Sequence, residues 1–393
     1  MKIVRIHEYM FPWLGGSSAN EYYLSKELAH LGHDVILFTS DIAPGRYLDR
    51  KKYQKTEEQV DGFKVVRSPA ILNLGGDMPI MPNLLSKMKE TGGDLIHAHE
   101  YYNYTSLIAY FVAKREKIPF TYTQERYYWI KRKAWSLPFW LGNKTLLKAV
   151  CKSPKRVTAF SEAAKEFLAS QDYPFERIHV IPMGVDTSRF KSTKDPWFRQ
   201  FLRIEEETPI VLSVARLHAS KNLNSLLRAM ALVNKTIKEA KLIVIGRGPQ
   251  ENFLRKMAIN LGLKKSTLFI SDPIPYEKMP SVYNSCDVFV LPSLYEPFGM
   301  AVPEAMSCGV PVIVSDAGGM RDTVVDGETG FKVSLRNGDH FVKILSTRII
   351  TLLKDEKLKK SMGLSAIKRV RSFYDWKVVA KKYEEFYEKL LAS

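Results

Sequence analysis

The stretch DVFVLPSLYEPFGMAVPEAMSCGVPVIVSDAGG, residues 287–319, decides the fold. It begins with the apolar run DVFVLPS, passes through a short segment of helical character and returns to a second apolar run, GVPVIVS. Near-continuous β-branched and leucine runs mark parallel strands buried on both faces, so the stretch reads as a β-α-β unit. Its helix must begin near Gly299, because Pro303 fits a helix only in the first turn, where no intrahelical N–H is needed, and Gly309 stops it. The N–H groups around Met300 and Ala301 are then left outside the helical ladder, where the helix dipole helps them hold an anion. Glu296 precedes the helix, and Glu304 stands on it among Ala305, Met306 and Cys308, where an apolar face does not otherwise call for an acid.

The same pattern extends in both directions. IVLSV and KLIVI supply two more buried strands upstream. Arg216 and Lys221 follow the first, and the turn Gly246-Arg247-Gly248-Pro249 follows the second. Open α/β sheets bind ligands at the carboxyl ends of their strands, so these residues converge on one pocket. A diphosphate fits between the Arg216/Lys221 pair and the helix start at Gly299, Met300 and Ala301. Hydroxyl groups of a sugar and of a ribose suit the two carboxylates, which accept hydrogen bonds.

The first half repeats the alternation. KIVRI is a strand, HEYMFPWLGGS a loop, and Ser18 with Glu21 three residues later reads as a capping box that starts a helix ending near Gly32. VILFT completes a β-α-β unit. Further strands are expected at 95–99, 120–123, 157–160 and 178–181, with Ser161 capping the helix after the third of these four. The chain of 393 residues is long enough for two domains. We place an N-terminal domain at 1–190, a linker at 191–208 around Pro196 and a C-terminal domain at 209–373. A final helix over 374–393 keeps apolar spacing through Trp376, Val379, Tyr383, Phe386, Tyr387 and Leu390 and needs a surface to pack on.

Composition narrows the function. Forty-five per cent apolar and 26% charged residues describe a globular chain. No run of eighteen apolar residues and no signal-peptide pattern occurs, so a cytoplasmic protein is expected. Three cysteines, Cys151, Cys286 and Cys308, offer neither a disulfide framework nor a zinc cluster. The net charge of +17 admits nucleic acid, anionic lipid or phosphorylated substrates. No helix-turn-helix, RNP-like or zinc signature supports nucleic acid. Residues 126–156 hold nine Lys and Arg and no acid, with Trp129, Trp135, Phe139 and Trp140 among them. That mixture suits the headgroup region of an anionic membrane, the competing reading being aromatics packed under the first domain.

These motifs resemble retaining glycosyltransferases of family 4, which have the GT-B fold. The resemblance spans nearly the whole chain. It rests on the E-x7-E signature from Glu296 to Glu304, on ARLHASKN at 215–222, on PMGVD at 182–186, on Gly318-Gly319 and on the Trp376-containing terminal helix. It implies two Rossmann-like doubly wound domains facing each other across a cleft, the terminal helix crossing back to the first. By resemblance, Arg216 and Lys221 bind the donor diphosphate, Glu296 holds the transferred sugar and Glu304 the ribose, with Gly246 and Arg247 beside the nucleotide. Gly15 and Gly16 look like the glycine pair of the first β-α loop, where donor or acceptor approaches the backbone.

Departures from the family pattern are local. The family histidine of T-x-H falls on Glu125, PNGVD reads PMGVD with Met183, and GGxxE ends in Asp322. Glu125 there is a candidate for stabilising positive charge or recognising the acceptor, with a surface salt bridge to Arg126 or Lys131 as the alternative. His99 is a second candidate polar contact, or a packed core histidine. The implied reaction moves a hexosyl group from a nucleotide-diphosphate sugar to a lipid-linked or cell-surface glycan precursor. It needs no metal or other cofactor, and no D-x-D occurs to hold a metal. A sugar-nucleotide epimerase of the same fold and a transferase for a soluble acceptor remain open alternatives.

Overall fold

A computed structural model describes residues 1–10, 16–42, 53–74, 78–125, 146–336 and 338–392. The chain forms two compact units, Met1–Gly184 with Trp376–Ser393, and Val185–Asp375.

The first unit is built on an eight-stranded sheet. Its strands are β1 (Lys2–Ile6), β2 (Asp34–Ser40), β3 (Glu57–Val60), β4 (Phe63–Ser68), β7 (Leu95–His99), β8 (Phe120–Gln124), β9 (Val157–Ala159) and β10 (Ile178–Val180). They lie in the order β10-β9-β8-β7-β1-β2-β4-β3. Only β3, on the edge, runs antiparallel to its neighbour. β5 (Leu72–Leu74) and β6 (Met78–Ile80) form a separate antiparallel hairpin. Residues such as Val4, Ile6, Phe38, Ile96, Ala98 and Tyr122 point into a continuous core against the flanking helices.

The terminal helix Trp376–Leu391 buries the stripe that its spacing predicts, Trp376, Val379, Ala380, Tyr383, Phe386, Tyr387 and Leu390, within this first unit. Trp376 stacks on Tyr23 with ring centroids 5.7 Å apart. Its indole leaves no room on the other side, since a Cβ at Gly184 would come within 2.3 Å of the ring. Glycine is therefore needed in PMGVD for close approach.

Two local expectations are corrected. The helix after β1 runs Ser17–His30 with Gly16 as its N-cap and no side-chain cap, so Ser18 and Glu21 do not form a capping box. Glu21 is instead buried against Arg5, whose uncompensated charge in the sheet outcompetes a cap worth about 1 kcal/mol. In the expected linker, Trp197–Leu202 is helical with Phe198 fully buried, so this segment packs as part of the second unit. Ser161, by contrast, caps the helix Glu162–Ser170 by accepting from the Ala164 N–H.

The second unit has a six-stranded, wholly parallel sheet: β11 (Ile210–Val214), β12 (Lys241–Ile245), β13 (Thr267–Ile270), β14 (Val288–Leu291), β15 (Val312–Ser315) and β16 (Gly330–Val333). Their order is β13-β12-β11-β14-β15-β16. The carboxyl ends of the central pair, β11 and β14, carry the residues singled out from the sequence.

Residues 126–145, most of the basic aromatic segment, and Gly15 lie outside the described residues. Among the described residues no helix is long and apolar enough to cross a membrane.

Candidate functional site

The segment after β14 is held by backbone. The Leu294 N–H bonds to the Ser220 carbonyl at 2.8 Å, tying it to the 3-10 turn Ala219–Lys221 after β11. The Gly319 N–H bonds to the Glu296 carbonyl at 3.1 Å. A Cβ on Gly319 would meet the Pro297 carbonyl at 2.5 Å, so the GG turn after β15 must lack a side chain to lie this close. The helix runs Ala301–Ser307, with Met300 as N-cap and Pro303 in its first turn, and Gly309 follows with φ of 79°. The Val302 N–H bonds to the Gly299 carbonyl and the Glu304 N–H to that of Met300, which leaves the Met300 and Ala301 N–H groups at the mouth.

Lys221 and Glu296 meet here. Lys221 Nζ lies 2.5 Å from Glu296 Oε2, which also accepts from Ser293 Oγ at 3.3 Å. Glu296 is 8% exposed, so the lysine is fixed at the strand ends by a nearly buried carboxylate. Arg216 is exposed and makes no ion pair among the described residues. Arg247 bonds through Nε to the Ser271 carbonyl and lies 3.5 Å from Asp272, so it is committed to the end of β13. Gly246, with φ of 144°, lets the turn after β12 press against the Ala215 carbonyl.

Glu304 is buried one turn into the helix. Tyr283 OH donates to Oε2 at 2.7 Å and Tyr276 OH to Oε1 at 3.4 Å. Burial pushes its carboxyl up to about 7, with the two tyrosine bonds acting in the opposite sense. Neither tyrosine was evident from the sequence. Tyr283 precedes β14 by a few residues, and only the tertiary fold brings its hydroxyl to the acid.

A stability prediction follows from this burial. Because the folded-state pKa lies above the ordinary glutamate value of 4.5, Glu304 favours folding at low pH and loses that contribution as pH rises through about 7. The full loss is roughly 3 kcal/mol. Ligand-free Glu304→Gln protein is expected to melt at a nearly constant temperature from about pH 5 to 8, whereas the native second unit declines. Parallel declines in calorimetry would refute the assignment.

The first unit carries a buried polar network under the carboxyl ends of β1, β7 and β8. Arg5 donates to both oxygens of Glu21, at 2.7 and 2.8 Å, and to Tyr387 OH at 2.9 Å. His97 lies 2.6 Å from Tyr387 OH and 2.7 Å from Thr123 Oγ1. Burial, reinforced by the Arg5 and His99 cations, holds His97 well below its ordinary pKa, hence neutral. Glu125 and His99 are brought together at 2.8 Å through His99 Nδ1. His99 Nε2 lies 2.7 Å from Glu21 Oε1 without the alignment of a good hydrogen bond. Burial disfavours the imidazolium, but the charge of Glu21 and the bond to Glu125 outweigh it and raise the His99 pKa to about 9. Gly16, with φ of 56°, turns the chain into the first helix.

Two Rossmann-type units with these strand-end motifs define a glycosyltransferase of the GT-B class. Residues 14–189 match the model of Glycosyltransferase Family 4, and 195–369 that of Glycosyl transferases group 1. The chain belongs to this family. Among curated relatives, a GDP-mannose-dependent α-(1-6)-phosphatidylinositol monomannoside mannosyltransferase of Mycolicibacterium smegmatis is 28% identical over 62% of this chain and 64% of its own length. A glycogen synthase of Mycobacterium tuberculosis is 24% identical over 98% of this chain and 94% of its own. Sucrose-phosphate synthase from Thermosynechococcus elongatus superposes with a TM-score of 0.76 at 23% identity, covering 100% of this chain and 99% of that one. Anabaena HepE in complex with UDP-glucose gives 0.74 at 19% identity, covering 99% and 100%.

Proposed function

We propose that the protein is a retaining hexosyltransferase that moves a sugar from a nucleotide-diphosphate donor to a lipid-linked acceptor. The observation that carries the donor half is the fixed Lys221–Glu296 pair, with Arg216 following the same strand as Lys221 and the helix start at Gly299–Ala301 following Glu296. As the anomeric carbon–oxygen bond breaks, the leaving diphosphate gains negative charge, which the anchored Lys221 meets without reorganising, joined by Arg216 and the N–H groups of the helix start. Glu296 accepts from sugar hydroxyls and Glu304 from the ribose diol. The acceptor oxygen attacks the same face that the diphosphate leaves, and a donor phosphate oxygen takes its proton. Glu125 and His99, at the strand ends of the first unit, are assigned to the acceptor.

The lipid acceptor rests on the basic aromatic composition of 126–156 and on the phosphatidylinositol-linked substrate in the name of the mycolicibacterial relative. Such a segment holds a protein reversibly at anionic headgroups, close to where the enzyme would act at the inner face of the cell membrane.

The test is nucleoside diphosphate release from a panel of sugar nucleotides, with and without lipid extract. Release that requires the extract, together with salt-sensitive flotation on acidic liposomes, is expected. Epimerised donor with no diphosphate release would establish an epimerase. Efficient transfer to a soluble sugar with no liposome binding would replace the lipid acceptor.

A further inference from the structure

We propose that the first unit holds a divalent transition metal of the zinc class, ligated by His7, His99 and Glu125. These residues follow or end three neighbouring parallel strands, β1, β7 and β8, so their backbones are fixed by the sheet ladder. One ligand atom from each lies within 4.8 Å of the others. Shifts of about 1 Å bring such a triangle to the edges of a tetrahedral site with metal–ligand distances of about 2.0–2.2 Å. Two histidines and a glutamate are a donor set typical of zinc with one position left for water or substrate. Glu125, whose side chain is 12% exposed, is the member that reaches solvent.

The surroundings match what ligating histidines require. His7 Nδ1 sits 2.8 Å from the Tyr9 carbonyl and 3.2 Å from the Tyr9 N–H, so the Tyr9 backbone engages the ring through Nδ1 and Nε2 is the atom a metal would take. His99 offers Nδ1 toward Glu125, while Nε2 stands 2.7 Å from Glu21, the carboxylate behind the ring that orients a metal-bound imidazole. Glu21 is itself held by Arg5. Glu8 Oε2, 3.8 Å from His7 Nε2, adds a further carboxylate, anchored by the Thr105 hydroxyl.

Charge favours the same assignment. Glu8, Glu21 and Glu125 bring three formal negative charges to a region where Arg5 and the His99 imidazolium supply two positive, and a divalent cation that displaces the His99 Nδ1 proton brings the sum to zero. Binding replaces the His99 Nδ1 proton shared with Glu125, and that proton leaves to solvent. Glu125 exchanges its hydrogen bond from His99 for a bond to the metal, and His7 adds its Nε2 lone pair.

The experiment uses tag-free full-length protein, stripped with a chelator, reloaded with zinc and freed of excess. Mass-spectrometric metal analysis is expected to find one zinc per chain. Cobalt substitution should give the visible absorption of a four-coordinate site. His7→Gln and Glu125→Gln are each expected to weaken zinc binding by at least about tenfold, with melting curves confirming that they fold. Wild-type protein that retains no zinc and gives no cobalt spectrum overturns the proposal and leaves an imidazolium held between two carboxylates. Folded variants that bind zinc as well as wild type overturn it equally. If a variant does not fold, the wild-type cobalt spectrum and stoichiometry decide. Neither readout depends on sugar transfer, so the outcome is separate from that of the glycosyltransferase reading.

Discussion

Lys221→Ala is expected to lower kcat/KM for sugar transfer by about 10²–10³-fold, the loss of roughly 3–4 kcal/mol of transition-state stabilisation that one preorganised charged donor supplies. The lysine is well placed for such an effect. Its ammonium is held by Glu296 at the end of the sheet, so no entropy is spent positioning it when the diphosphate begins to leave. Removing it also leaves Glu296, nearly buried, facing the donor phosphates without its cation. Both effects act on the departing diphosphate, so kcat should fall with kcat/KM. A rise in KM alone would mean that Lys221 binds donor and transition state equally. Steady-state diphosphate release decides this, with calorimetric unfolding to show that the second unit remains intact. Full activity at saturating donor would remove Lys221 from the site. Arg216→Ala should cost less, since an exposed, unanchored guanidinium must be ordered during each turnover.

Which parts of this site could be read beforehand follows from where the determining contacts lie in sequence. Strands β11, β12, β14 and β15 are buried on both faces, so their apolar runs are unbroken and their ends visible. Pro303 and Gly309 bracket the intervening helix because each restricts backbone within a few residues of itself. The hydrogen-bond partners of Glu304 were not readable. Tyr283 lies 21 residues away and Tyr276 lies 28, and nothing local marks either as polar-facing. Glu21 shows the opposite failure, in which a local signal misleads. Ser18 and Glu21 have capping-box spacing, yet the chain uses Glu21 to neutralise a cation buried in the adjacent strand. The sign was present in KIVRI itself. An arginine among four apolar or flanking strand residues demands a buried carboxylate somewhere, and its helix neighbour supplies the first one available. The segment expected as a linker is a related case. Pro196 and a run of charges gave 191–208 the look of a linker, and nothing local marks Phe198, which is fully buried.

Arg5→Met should therefore destabilise the first unit by about 3–5 kcal/mol, since it strands a carboxylate that is wholly out of solvent. For a unit of this size the change corresponds to a fall of roughly 6–20 °C in its melting transition. Methionine fills much of the volume of the arginine stem, so the loss reports charge and hydrogen bonds more than a cavity. Three bonds to Glu21 and one to Tyr387 disappear together, and His97, which shares the Tyr387 hydroxyl, loses its orientation. His99 cannot replace the guanidinium, because its Nε2 approaches Glu21 without alignment. The double variant Arg5→Met/Glu21→Leu separates ion-pair stability from the penalty of an unpaired charge. If the arginine's main task is to neutralise Glu21, removing both should recover most of the lost stability, as buried pairs replaced by apolar groups often do. If the double variant is as unstable as the single, the network through Tyr387 and His97 is what holds the terminal helix to the sheet. A single-variant cost below about 1 kcal/mol, in the range of exposed pairs, would contradict the burial itself.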